Sequence, residues 1–156
     1  MNKDKGFTLI ELMITVAIMS IMLTVGLPSF QSIITDSRLT STANAMLSAY
    51  QLARFEAIKQ HKDVYVSTAD SWVTWNVTVK DAAQPLATFE ASKKIVIAQK
   101  DFDFGGYNAS GRPITSHGSA LSGCDEKAPC KITFTADTGS RSLEVVISGR
   151  MKVTSP

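Results

Sequence analysis

Residues 6–30 read GFTLIELMITVAIMSIMLTVGLPSF, a stretch that turns apolar abruptly at Phe7 after the polar start MNKDKG and holds one charge, Glu11. No charged residue occurs from Leu12 to Thr35. Because about 20 apolar residues of helix cross a bilayer, the stretch is predicted to be the transmembrane first half of a long N-terminal helix. A secretory signal peptide shares the basic start, but its apolar region is usually about 7–15 residues and ends at a small-residue cleavage site. Here the run continues through Pro28 into Phe30, Ile33 and Ile34. Glu11 within it costs about 2.5–3.5 kcal/mol at the centre of a membrane helix and less near an end. Such a carboxylate is tolerable beside a cation; the alternative is a solvent-facing residue at a membrane interface.

Further along, Pro28 removes one backbone bond and crowds the preceding turn, so a helix kink is expected there, with Gly26 loosening the same place. Beyond it Phe30, Ile33, Ile34, Ala43, Met46, Leu47, Tyr50, Ala53, Ala57 and Ile58 recur at three- and four-residue steps. That spacing predicts an amphipathic second half of the helix, packed on a sheet. The whole helix runs from Phe7 to Gln60, about 80 Å. From Val64 the period changes to two: VYVST, WVTWNVTVK, LATFE, KIVIAQ, KITFTA and SLEVVIS are β-branched and aromatic runs bounded by turn residues. Short connections such as DTGS join antiparallel neighbours. The fold class is α+β, one long helix on a mostly antiparallel sheet, with residues 105–130 as the longest irregular region.

A chain of 156 residues has room for one ordinary domain and an appended element, and a net charge of +2 announces no nucleic-acid binder by bulk electrostatics. Its two histidines, His61 and His117, accompany no G-x-S-x-G, H-E-x-x-H, P-loop or G-x-G-x-x-G pattern, so no catalytic site is nominated and the chain is read as not an enzyme. His61 closes the helix, where capping outweighs catalysis. Asp101 and Asp103 share one face of an expected strand, opposite Phe102 and Phe104, as a solvated face. Trp72 and Trp75 fall on opposite strand faces, one of them in the core. Cys124 and Cys130 fit no usual zinc spacing; they close a small disulfide loop if the domain is exported, and are two reduced thiols otherwise. No metal or cofactor is expected.

The segment from Gly6 to Phe30 resembles the class III signal of type IV pilins and type II secretion pseudopilins. The resemblance implies that a prepilin peptidase cuts after Gly6 and methylates the new terminal residue, Phe7, and that Glu11 pairs with the N-terminal amine of a neighbouring subunit. While Gly6 and Phe7 share a neutral amide there is no amine for Glu11 to meet, so processing creates the charge. The division implied is a leader peptide at 1–6, a transmembrane and assembly helix at 7–30, and a periplasmic pilin-like globular domain at 31–156. The place implied is the bacterial inner membrane as a single-pass protein, then a pilus or pseudopilus at the cell surface. The partners are other pilin or pseudopilin subunits, the prepilin peptidase and the inner membrane assembly platform.

The rest of the chain is similar to the GspH/FimT group of minor pilins and pseudopilins. Four segments carry this: SRLTSTANAMLSAYQLARFEAIKQ at 37–60, WVTWNVTV at 72–79, DFGGYNASGRP at 103–113 and VVISGRMKV at 145–153. Family members often have a glycine before the second tryptophan and a cysteine after the first strand, and this chain lacks both. The group serves type IV pilus assembly or type II secretion, as an H-type pseudopilin in the latter. One branch is implicated in binding double-stranded DNA in natural transformation, through a Gly-Arg-x-Arg tail. Here the tail is Gly149, Arg150, Met151, Lys152, and the lysine keeps the charge without the bidentate fork. Arg141, Arg150 and Lys152 are the candidate DNA contacts, through phosphates; alternatively Arg150 closes a turn and Lys152 is merely solvated.

Overall fold

A computed structural model describes residues 6–70, 73–92, 95–100, 104–137 and 139–155, with the backbone alone at 25–29, 69–70 and 98–100. Trp72, Asp101, Phe102, Asp103, residues 1–5 of the expected leader and the side chain of Pro28 therefore lie outside the described residues. The chain divides into two compact units, Met1–Thr35 and Asp36–Pro156. One helix, α1 (Leu9–Gln60), contributes to both.

In the first unit the apolar side chains of α1 are exposed, among them Leu9, Ile10, Met13, Met19, Phe30, Ile33 and Ile34. Among the described residues, no helix is long and apolar enough to cross a membrane. The expected transmembrane first half, and with it the single-pass inner-membrane location, is thereby corrected. Thr15, Ser20 and Thr24 interrupt the described apolar side chains, and each hydroxyl bonds back to a carbonyl of the preceding turn. Phe30, Ile33 and Ile34, expected on the buried face, are exposed.

In the second unit the helical period does what the spacing predicts. Leu39, Ala43, Met46, Tyr50, Ala53 and Ala57 are fully buried along one face, whereas Asn44, Gln51, Phe55 and Lys59 are exposed. Alanine at three of these steps lets strands approach the helix closely. Thr42, the one buried polar side chain of the described core, accepts the Ser92 N–H at 3.2 Å and so leaves no unpaired hydroxyl oxygen. The helix stops at His61, which adopts φ 53°, and the Lys62 N–H returns to the Ala57 carbonyl at 3.3 Å. This is a left-handed C-terminal cap built on a histidine where glycine is usual.

Nine strands follow: β1 (Val64–Asp70), β2 (Thr74–Val79), β3 (Ala87–Glu90), β4 (Val96–Lys100), β5 (Gly106–Tyr107), β6 (Pro113–Ile114), β7 (Cys130–Ala136), β8 (Gly139–Val145) and β9 (Met151–Thr154). They form a five-stranded sheet in the order β3-β2-β1-β5-β6 and a four-stranded sheet in the order β4-β7-β8-β9. Every pairing is antiparallel. Alternation places Trp75, Val77 and Val79 of β2 and Ile132 and Phe134 of β7 inward, so that one face of each sheet joins the helix in a common core.

Candidate functional site

The N-terminal motif and the C-terminal turns are the two places where residues of chemical interest gather. At the start of α1, Thr8 and Glu11 bond reciprocally. The Thr8 N–H and hydroxyl both donate to Glu11 Oε2 at 3.0 Å, and the Glu11 N–H donates to Thr8 Oγ1 at 3.3 Å. This is a capping box, which satisfies backbone donors that the first turn otherwise leaves open. Its sequence signal, Thr-x-x-Glu, is present in TLIE, a local role distinct from both the intermolecular pairing and the interface position expected of Glu11. The bonds from Thr8, the backbone one foremost, hold the Glu11 carboxyl below its ordinary range, so it stays anionic. Phe7 beside it is exposed.

The second gathering is centred on Arg54, which α1 holds half-buried. Its Nη1 donates to the Gly149 carbonyl at 3.2 Å, and its guanidinium lies 5.8 Å from the centre of the Tyr107 ring. The Tyr107 hydroxyl reaches the same carbonyl at 3.5 Å, and burial pushes its phenol well above the usual range, with Arg54 opposing. Phe104 stacks on Tyr50 of α1 at 4.5 Å and meets Tyr107 edge-on at 5.5 Å. Gly105 and Gly106 are where backbones cross closely: an added Cβ would come 2.3 Å from Ser116 and 2.0 Å from the Val64 carbonyl oxygen. Three of the four segments singled out in the sequence, 37–60, 103–113 and 145–153, thus meet at one arginine. The spacing of each segment showed nothing of this, because the contacts are long-range.

Arg150 follows the turn after β8, and Lys152 sits on the edge strand β9, so the C-terminal residues are paired chain and not a free tail. The two line one cleft of about 60 Å³ together with Glu126, Pro129, Glu144, Val146 and Met151. Arg150 lies 3.3 Å from Glu126, and Lys152 stands opposite Glu144, which Lys131 also reaches at 3.1 Å. Arg141 is not with them. It binds Asp36 of α1 at 2.8 Å and ties β8 to the helix. Cys124 and Cys130 form a disulfide with a Cα–Cα distance of 5.1 Å. The Ile147 N–H donates to the Cys124 carbonyl at 2.6 Å, which fixes the disulfide loop beside the turn that precedes Arg150. Among the described residues no group of His, Cys, Asp and Glu is placed to hold a metal ion.

The family described as Type II transport protein GspH matches residues 42–150, a span that includes Arg54, the Tyr107 segment and Gly149–Arg150. The chain belongs to the GspH family. A second match, to the prokaryotic N-terminal methylation motif, covers residues 1–27. Membership places the chain in the type IV pilin and type II secretion pseudopilin superfamily, whose members are structural subunits and not catalysts.

Among curated relatives, the type IV major alpha-pilin of Moraxella bovis is 38% identical over 77 residues, 49% of this chain and 48% of the relative. Fimbrial protein Q of Moraxella bovis is 42% identical over 59 residues, 36% of this chain and 38% of the relative. A fimbrial protein of Pseudomonas aeruginosa is 29% identical over 143 residues, 86% of this chain and 90% of the relative. The chain thus spans half or less of the length of the two Moraxella proteins. No solved structure matches it.

Proposed function

We propose that this GspH-family chain is a minor type IV pilin, processed between Gly6 and Phe7 and methylated at Phe7, that assembles into or primes a pilus and binds DNA for uptake. The observation that carries the reading is the joining, in one chain, of a methylation motif at 1–27 to a GspH-type domain at 42–150. Assembly rests on Glu11. Cleavage before Phe7 frees an ammonium, and the anionic Glu11 of a neighbouring subunit is its partner; desolvated among apolar side chains, the two charges stabilise each other where either alone is costly. The exposed apolar side chains from Phe7 to Leu23, together with Phe30, supply those surroundings once several copies pack together. Glu11→Ala is expected to exclude the chain from filaments, and undiminished incorporation would defeat the pairing.

DNA contact rests on Arg150 and Lys152, two exposed cations on one cleft. Their acidic neighbours lower the local charge, but exposed ion pairs are worth little in water and yield to a phosphate chain. Arg141, engaged by Asp36, contributes less. Binding of duplex DNA that fails to weaken with salt, or that survives Arg150→Gln with Lys152→Gln, would remove this part. The family's own description supports a second reading, an H-type minor pseudopilin of type II secretion. Deletion followed by parallel assays of piliation, protein secretion and transformation separates the two.

A further inference from the structure

The tripeptide Ser-Gly-Arg occurs twice, at 110–112 and 148–150, and both copies fold into the same loop. In the first, the Asn108 N–H donates to the Arg112 carbonyl at 2.9 Å and the Gly111 N–H to the Asn108 carbonyl at 2.8 Å. In the second, the Val146 N–H donates to the Arg150 carbonyl at 3.1 Å and the Gly149 N–H to the Val146 carbonyl at 2.8 Å. The glycines take φ 71° and 79°, the left-handed residue that lets a tight turn rejoin an antiparallel partner. One loop joins β5 to β6 and the other β8 to β9, in different sheets.

Both loops rest on one side chain. A Cβ placed on Gly111 would lie 3.5 Å from Arg54 Nε, and one placed on Gly149 would lie 3.3 Å from Arg54 Cζ. Arg54 therefore lies beside both loops, with Ile58 Cδ1 nearer still to Gly111 at 2.7 Å, and the residue after each glycine is an exposed arginine, Arg112 or Arg150. Each glycine is preceded by an exposed serine, Ser110 or Ser148.

We propose that Arg112 and Arg150 are paired arms for a phosphodiester backbone, on loops that both lie beside Arg54. The inference rests on the DNA-binding reading of Arg150 and Lys152 and extends it to a residue outside the C-terminal strand. Two identical cations on identical rigid loops match a ligand whose charges repeat identically, as phosphates do along a nucleic-acid strand. Carboxylates on a protein surface have no such regularity. A guanidinium fork meets phosphate oxygens bidentately, and the serine hydroxyls add donors beside it. Contacts of this kind position a duplex without reading its sequence. Glu126 is the resident competitor on Arg150, in a pair that is 69% and 73% exposed and so readily displaced.

The test uses the full chain, a short fluorescent DNA duplex and fluorescence anisotropy across a salt series. Arg112→Gln and Arg150→Gln are each expected to weaken binding several-fold and to lower the slope of log K against log salt by about 0.9, the double variant by about twice that. Arg112→Lys is expected to keep the wild-type slope. Arg38→Gln removes an exposed charge about 24 Å along α1 from Arg54 and is expected to leave the slope unchanged. Weakening by Arg150→Gln with none by Arg112→Gln overturns the paired arms and leaves the DNA reading standing. Absence of wild-type binding at low salt removes both. Polyglutamate that displaces the chain as effectively as unlabelled duplex at equal charge overturns the phosphodiester assignment.

Discussion

Arg54 donates to the carbonyl oxygen of Gly149 across 3.2 Å, joining the C-terminal end of the helix to the turn after β8. The same side chain lies over Tyr107 and beside Gly111, so one guanidinium organises three separate stretches of chain. Its replacement leaves the Gly149 carbonyl with the Tyr107 hydroxyl alone at 3.5 Å. Arg54→Ala is expected to destabilise the chain by about 2 kcal/mol, in the range for a hydrogen bond to a charged group. Arg54→Lys recovers part of this, since it keeps the charge but not the planar fork. The midpoint of urea unfolding is the measurement.

The glycines offer a graded series. Gly123 has φ 83° with nothing within 4 Å of an added Cβ, so Gly123→Ala incurs only the left-handed backbone penalty, about 1 kcal/mol. Gly149→Ala adds contacts at 3.3 Å to Arg54, and Gly111→Ala a contact at 2.7 Å to Ile58 Cδ1. Both are expected to cost more than Gly123→Ala in the same unfolding assay, and equal losses at all three positions would remove the packing argument.

At the helix terminus, His61 holds φ 53° without the freedom of glycine. His61→Gly is expected to raise stability by about 0.5–1 kcal/mol, because the left-handed cap suits glycine. Thermal unfolding reads it as a small rise in midpoint.

Glu11 supplies the pH dependence. The Thr8 backbone bond, then the Thr8 hydroxyl, lower its pKa from the usual 4.5, against a small opposing effect of burial. Because the folded value is depressed, the stabilisation of the first turn is present above 4.5 and is lost as pH falls through the folded value. Amide exchange at the start of α1 is expected to show fraying as pH is lowered into that window. Thr8→Ala should show it already at neutral pH.

What the sequence made legible, and what it did not, follows from the range of the forces involved. The buried face Ala43, Met46, Tyr50, Ala53 and Ala57 and the alternation in β2 and β7 were visible because periodicity records burial one element at a time. The strands β5 and β6 hold two residues each, too few to show a period, and β9 is a short Met-Lys-Val-Thr run. The Thr8–Glu11 box was written in the sequence but eclipsed by a second role for the same carboxylate. The membrane-spanning expectation rested on the charge-free stretch alone, and among the described residues no helix is long and apolar enough to cross a membrane. Arg54 could not be ranked above the other arginines from spacing, because its partners lie at sequence separations of tens of residues.

Intact-mass and N-terminal analysis of the chain recovered from the cells that make it tests the proposed processing most directly. The expected result is a terminus at Phe7 carrying one added methyl group. A chain that still begins at Met1, or one trimmed well beyond Phe7, would contradict it, since no ammonium would then stand where Glu11 needs one.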